Sequence, residues 1–252
     1  MYVAIAGEVV NRRSVLLRNF VPNGQLSASN PLLHIHAQRC EQLKKNKMVS
    51  EIVETILQIF IFSLIPFLVF VIKKRTVKGF LGYIGLKKSN SKANGLAILA
   101  SLILLTPMLL LTLTSDSFQE IMFDPNSITG KLRAMEFGAN SIIILLIIAI
   151  FKTSFAEEIL FRGFIAKRLI SIFGFKKGNI FQAIIFGILH TALFAIITTN
   201  FIFLSLIFIF PTIAAYLFGY LNEKKANGSI IPSWIAHGLA NVITYIVVGF
   251  VI

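Results

Sequence analysis

A single cysteine, Cys40, and a single tryptophan, Trp234, occur in 252 residues. A lone cysteine excludes an internal disulfide framework and any multi-cysteine metal site. Acidic residues are scarce, with 11 Asp plus Glu against 24 Lys plus Arg, and there are only 4 histidines. Most informative is where charge is missing: residues 51–72, 94–114, 139–163, 179–198, 201–221 and 230–251 carry few charges or none. These runs also lack the polar–apolar alternation of a membrane barrel strand.

What fills them is hydrocarbon. The chain is 56% hydrophobic and its mean hydropathy is +0.81. Apolar runs of about 18 residues or more are long enough to cross a hydrocarbon layer roughly 30 Å thick. Within that layer only helices and closed barrels satisfy their own backbone hydrogen bonds. The expected fold is therefore all-α, a multi-pass cell-membrane protein with about six transmembrane helices. Pro66, Pro107, Pro211 and Pro232 fall in these runs, where proline is tolerated if neighbours bond the freed carbonyls. Ala183, Gly187 and Thr191, and Ala215 with Gly219, recur at four-residue spacing and predict close helix approach.

The net charge of +13 would suggest nucleic acid in a soluble chain. Here the basic residues sit in short loops, so the expected partner is lipid and no nucleic-acid binding is expected. Residues 73–92 carry Lys73, Lys74, Arg75, Lys78, Lys87, Lys88 and Lys92 with no acid. Residues 115–138 oppose Lys131 and Arg133 to Asp116, Glu120, Asp124 and Glu136, and the next loop is basic again through Lys167, Arg168, Lys176 and Lys177. Charge bias places the basic loops in the cytosol. Residues 1–47 are polar and basic, and their charge opposes that orientation. They read as an extension ahead of the helical domain, 48–252, with Met48 as an alternative start. His34 and His36 lie in this segment, where isolated histidines carry no expected function.

Beyond residue 50 the two histidines, His190 and His237, both fall inside apolar runs, as do Glu157 and Glu158. A charge at mid-membrane costs about 2.5–3.5 kcal/mol even on the lenient insertion scale, so such groups are functional-site candidates. Reckoned from the basic side, Glu157, His190 and His237 lie about 4–11 residues into their helices, roughly 6–17 Å deep. A cavity in the bundle, opening toward the cytosol, would collect them. Glu158 and Arg162, four apart, share a helix face and would pair. Glu157 points about 100° away from that face. His237 and Asn241, also four apart, project together. Lys152, mid-run, fits none of these roles; it would snorkel or pair with a carboxylate.

Three motifs emerge in order: Glu157-Glu158-Ile-Leu-Phe-Arg162 followed by Gly163, Phe186-Gly-Ile-Leu-His190, and His237-Gly-Leu-Ala-Asn241. Together they resemble the CAAX prenyl endopeptidase and bacteriocin self-immunity family, over roughly residues 150–245. The resemblance implies an intramembrane endopeptidase acting on a membrane-associated peptide or protein, without a covalent intermediate. It implies that Glu157 and His190 activate a water, that His237 and Asn241 bind the oxyanion, and that Glu158 and Arg162 support the site. No metal is expected on this reading. Zinc held by Glu157, His190 and His237 is one alternative, and a non-catalytic immunity or peptide-binding protein is another.

Overall fold

The computed structural model describes residues 31–135 and 137–252, with the backbone alone for residues 31–38, 40, 41, 43 and 44. The side chains of His34 and His36 lie outside the described residues, as does the extension up to residue 30. Contacts divide the chain into Met1–Asn46 and Lys47–Ile252, and everything below concerns the second unit.

Every regular element among the described residues is helical. In chain order these are α1 (Pro31–Lys74), α2 (Phe80–Tyr83), α3 (Ser91–Thr114), α4 (Asp116–Met122), α5 (Ile128–Arg133), α6 (Ala139–Ala195), α7 (Phe201–Lys225) and α8 (Ile231–Val251). Five are long and apolar enough to cross a membrane, counting the part of α1 from Lys45 to Lys74. The third and fourth expected spans are thus one assigned helix, α6, of 57 residues. At about 1.5 Å per residue it is far too long for one crossing. It breaks at Gly174, whose φ of 76° and ψ of 166° are non-helical and suit glycine. Gly178 then lies against the backbone of Leu169 and Ile170 with no room for a Cβ, so the two arms fold back as a hairpin. The first arm runs ten residues beyond the expected end at 163, because Lys167 and Arg168 are helical and not loop.

The small-residue spacing does what it predicts. A Cβ at Gly187 would meet the Phe208 carbonyl, and one at Gly219 would meet Asn179 and Gln182. The second arm of α6 and α7 therefore pack backbone to backbone. The buried Gln182 amide bridges them, donating to Asn179 Oδ1 and to the Ala215 carbonyl, each at 2.9 Å.

In its first arm α6 widens twice into π-helical turns, at Ile147–Phe155 and Ile159–Ala166, with Ala156–Glu158 as α-helix between them. Such turns bond i to i+5 and frequently mark functional sites. Neighbouring helices supply donors to the widened segment. Trp234 Nε1 donates to the Ile150 carbonyl and Gln58 Nε2 to the Lys152 carbonyl, both at 2.8 Å.

The basic end of the bundle is densely tied. Residues 79–87, which contain α2, wedge beneath α6. The Ile230 N–H donates to Gly85 O at 2.9 Å, and Ser229 Oγ to Lys87 O at 2.7 Å. Lys167 Nζ pairs with Glu223 at 2.6 Å and donates to Gly228 O at 2.8 Å. Ile84, 1% exposed, packs with Ile159 and Ile230. A Cβ on Gly163 would stand 2.7 Å from Ile84 O, so this approach requires glycine immediately after Arg162.

Candidate active site

A cavity of about 500 Å³ lies within the bundle, lined by side chains from α3, both arms of α6, α7 and α8. Arg162 and Phe218 line its deep part, and it extends to residues 122–129 at the end opposite the basic loops. The depth reckoning above ended the third span at 163. With the helix running on to 173, Glu157 sits near mid-helix.

Adjacent glutamates receive opposite treatment. Glu158 is fully buried, with Oε1 3.1 Å from Arg162 NH1, and the Arg162 guanidinium lies 4.0 Å over the Phe186 ring. The expected i,i+4 pair is present and out of water. Glu157 lines the cavity instead, and its buried Oε2 has no hydrogen-bond partner among the described residues. That oxygen faces two imidazoles, with His190 Nε2 at 4.0 Å and His237 Nε2 at 3.8 Å.

Each histidine is oriented through its other nitrogen. His190 Nδ1 lies 2.9 Å from Phe186 O, a carbonyl that accepts only, so Nδ1 carries the proton. His237 Nδ1 lies 3.1 Å from Glu158 Oε1, a second partner for that carboxylate that spacing did not predict. His237 thereby spans both glutamates. Gaps of 3.8 and 4.0 Å are too long for direct hydrogen bonds and suit a water bridging the groups.

Asn241 also lines the cavity. Its Nδ2 donates to Thr153 Oγ1 at 2.9 Å and Ser154 Oγ at 3.1 Å on the widened turn of α6. Tyr245 lines the same cavity. Thr153, Ser154 and Tyr245 went unnoticed in the sequence, although Tyr245 continues the four-residue spacing of His237 and Asn241. Lys152 does not touch Glu157. Its Nζ pairs with Glu51 Oε2 at 2.9 Å and Glu54 Oε2 at 2.6 Å, joining α1 to α6. Among the described residues no three His, Cys, Asp or Glu side chains are set to hold a metal ion.

Carboxylate, imidazoles and an amide converging within an apolar helical bundle define a polytopic membrane protein with an internal polar site. Residues 139–243 match the family model described as type II CAAX prenyl endopeptidase Rce1-like. That stretch, which holds all three motifs, is similar to the CAAX endopeptidase family. No curated protein and no solved structure matches the chain.

Proposed function

We propose that this membrane endopeptidase cleaves a membrane-associated peptide or protein with a water activated by Glu157 and His190. One observation carries the reading: the unpartnered Oε2 of Glu157 faces two histidine nitrogens at 3.8 and 4.0 Å inside the cavity. A water there would donate one proton to Glu157 while the Nε2 of His190, its Nδ1–H held by Phe186 O, accepts the other. Proton removal by a positioned base contributes typically about 10²–10⁴-fold. As the scissile carbonyl becomes tetrahedral its oxygen gains charge. His237, held at Nδ1 by Glu158, would present Nε2 to that charge. Arg162 balances Glu158, so the pair orients His237 without joining the chemistry. The apolar cavity walls support a membrane-associated substrate, and the family's printed description makes a prenylated CAAX peptide the first probe.

Zinc is a second reading because both histidines have the anchored Nδ1 of many metal ligands, one on a carboxylate and one on a carbonyl. Glu157, His190 and His237 would then be the ligands. They do not form a three-ligand set, and no step is assigned through a metal. The experiment is cleavage of a farnesylated CAAX peptide by detergent-purified protein after exhaustive chelation, with products identified by mass. Cleavage should survive. Loss of activity restored by zinc alone would establish the metal reading, and protein that binds this peptide without cutting it would favour a non-catalytic role.

Orientation follows from charge. With the basic end in the cytosol, the cavity's far end faces the opposite side, together with Ile252, whose carbonyl accepts from Arg133. A reporter fused after Ile252 should lie outside the cytosol; a cytosolic reporter would turn the cavity toward the cytosol.

A further inference from the structure

The first widened turn of α6 ends just ahead of the two glutamates, and its backbone is gripped from two other helices. The Ala156 N–H, where α-helix resumes, reaches Phe151 O five residues back. A helix that widens from i+4 to i+5 bonding and narrows again leaves backbone oxygens short of an intrahelical N–H, and in an apolar bundle these need a donor from elsewhere. Lys152 O, next in line after Phe151, accepts from Gln58 Nε2 on α1 at 2.8 Å. Ile150 O, one residue before Phe151, accepts from Trp234 Nε1 on α8, also at 2.8 Å. The Trp234 ring packs on the same turn, 4.5 Å from the Phe155 ring and 6.1 Å from that of Phe151. Within the turn the Thr153 and Ser154 hydroxyls donate to Ile148 O and Ala149 O, each five residues back, at 2.9 and 2.6 Å.

The widening sets a direction. It accommodates one extra residue, and one residue is about 100° of helix, the angle that separates Glu157 from Glu158. Closing the turn to α-helix would swing Glu157 by about that angle relative to Ile150 and Lys152. Glu157 would then leave the two imidazoles it faces at 3.8 and 4.0 Å. Neither Gln58 nor Trp234 lines the cavity, so any effect they have on the reaction runs through the turn. We propose that Gln58 and Trp234 are positioning residues that hold the widened turn open from α1 and α8, through Lys152 O and Ile150 O, and so aim Glu157 at His190 and His237. That Glu157 acts as the base rests on the preceding proposal; the grip on the turn does not.

The experiment uses Trp234 as its own reporter. It is the single tryptophan of the chain, so protein ¹⁵N-labelled at tryptophan gives one indole N–H signal, whose exchange with solvent reads the bond to Ile150 O. Gln58→Leu removes the donor on α1 alone, and it should accelerate that exchange at least about tenfold, because the turn both residues hold is loosened. Lys152→Met removes the ion pairs with Glu51 and Glu54 but keeps the Lys152 carbonyl and its donor. It should leave the exchange within about twofold of wild type. Exchange unmoved by Gln58→Leu, or accelerated as much by Lys152→Met, overturns the proposal. With the farnesylated CAAX peptide as probe, Gln58→Leu and Trp234→Phe should each lower kcat at least about tenfold with KM held within about twofold, since a misaimed base costs turnover and not binding. The double variant should lose less than the product of the two, because both bonds secure one turn. A kcat that holds in both variants, or a rise in KM with kcat unchanged, contradicts the assigned role. A wild type that leaves the probe uncut refutes that substrate class alone, and the indole exchange still decides whether the turn is held.

Discussion

The two ends of the bundle are built on opposite principles. At the basic end polar groups are closed against one another: Lys167 with Glu223, Ser229 with Lys87 O, Ile230 N–H with Gly85 O. Toward the other end the helices part around an apolar cavity. The boundary runs between two consecutive residues, since Glu158 belongs to the tied region and Glu157 to the hollow one. A carboxylate held at 3.1 Å by Arg162 and His237 stabilises, whereas one that lines the cavity with its nearest imidazoles at 3.8 and 4.0 Å is available for chemistry. The same residue type thus carries structure or function according to which side of the boundary it meets.

That contrast can be broken from the tied side first. Glu158→Gln leaves Arg162 buried at 2% exposure without its counter-charge. It should lose about 3–5 kcal/mol of stability, the usual result of breaking a buried pair. Replacing Glu158 and Arg162 together by neutral residues of similar volume should recover part of this in detergent melting curves. Gly163→Ala should follow at about 1–3 kcal/mol, because the added methyl meets the backbone oxygen of Ile84, which cannot turn aside. Trp234→Phe keeps a ring against Phe155, 4.5 Å away, but leaves the Ile150 carbonyl without its donor. About 1 kcal/mol is expected, read by the same melting curves. Smallest of all is Lys152→Met. Its partners Glu51 and Glu54 lie outside the cavity, and Glu54 is half exposed at 52%. Stability should change by less than about 1 kcal/mol and the cleavage rate should hold. A large loss of rate in Lys152→Met would show that the α1–α6 link reaches the site.

The parts legible in the sequence were those where polarity contradicts its surroundings. Glu157, His190 and His237 stand out in apolar runs, and the structure brings them together. The i,i+4 pairing of Glu158 and Arg162 survived because that spacing still brings the groups together on the widened helix. What was hidden had no compositional mark. Lys167 and Arg168 read as loop because they are charged, yet one pairs with Glu223 and the other lies over Tyr83 at 4.0 Å, so the helix runs on past 163. No residue pattern announces a π turn, and so nothing in the sequence marked Trp234 and Gln58 as donors to α6. The partners of Lys152, Glu51 and Glu54 on α1, went unassigned.

The most direct measurement is a paired one on Glu157→Gln, cleavage of the farnesylated peptide and thermal melting of the same preparation. Gln keeps size and hydrogen bonding but removes the base. Cleavage should fall by at least about 10²-fold, while melting stays near wild type, since Glu157 Oε2 makes no direct hydrogen bond whose loss would strand a buried partner. Retained cleavage, or a protein that unfolds as Glu158→Gln does, would contradict the division between the two glutamates.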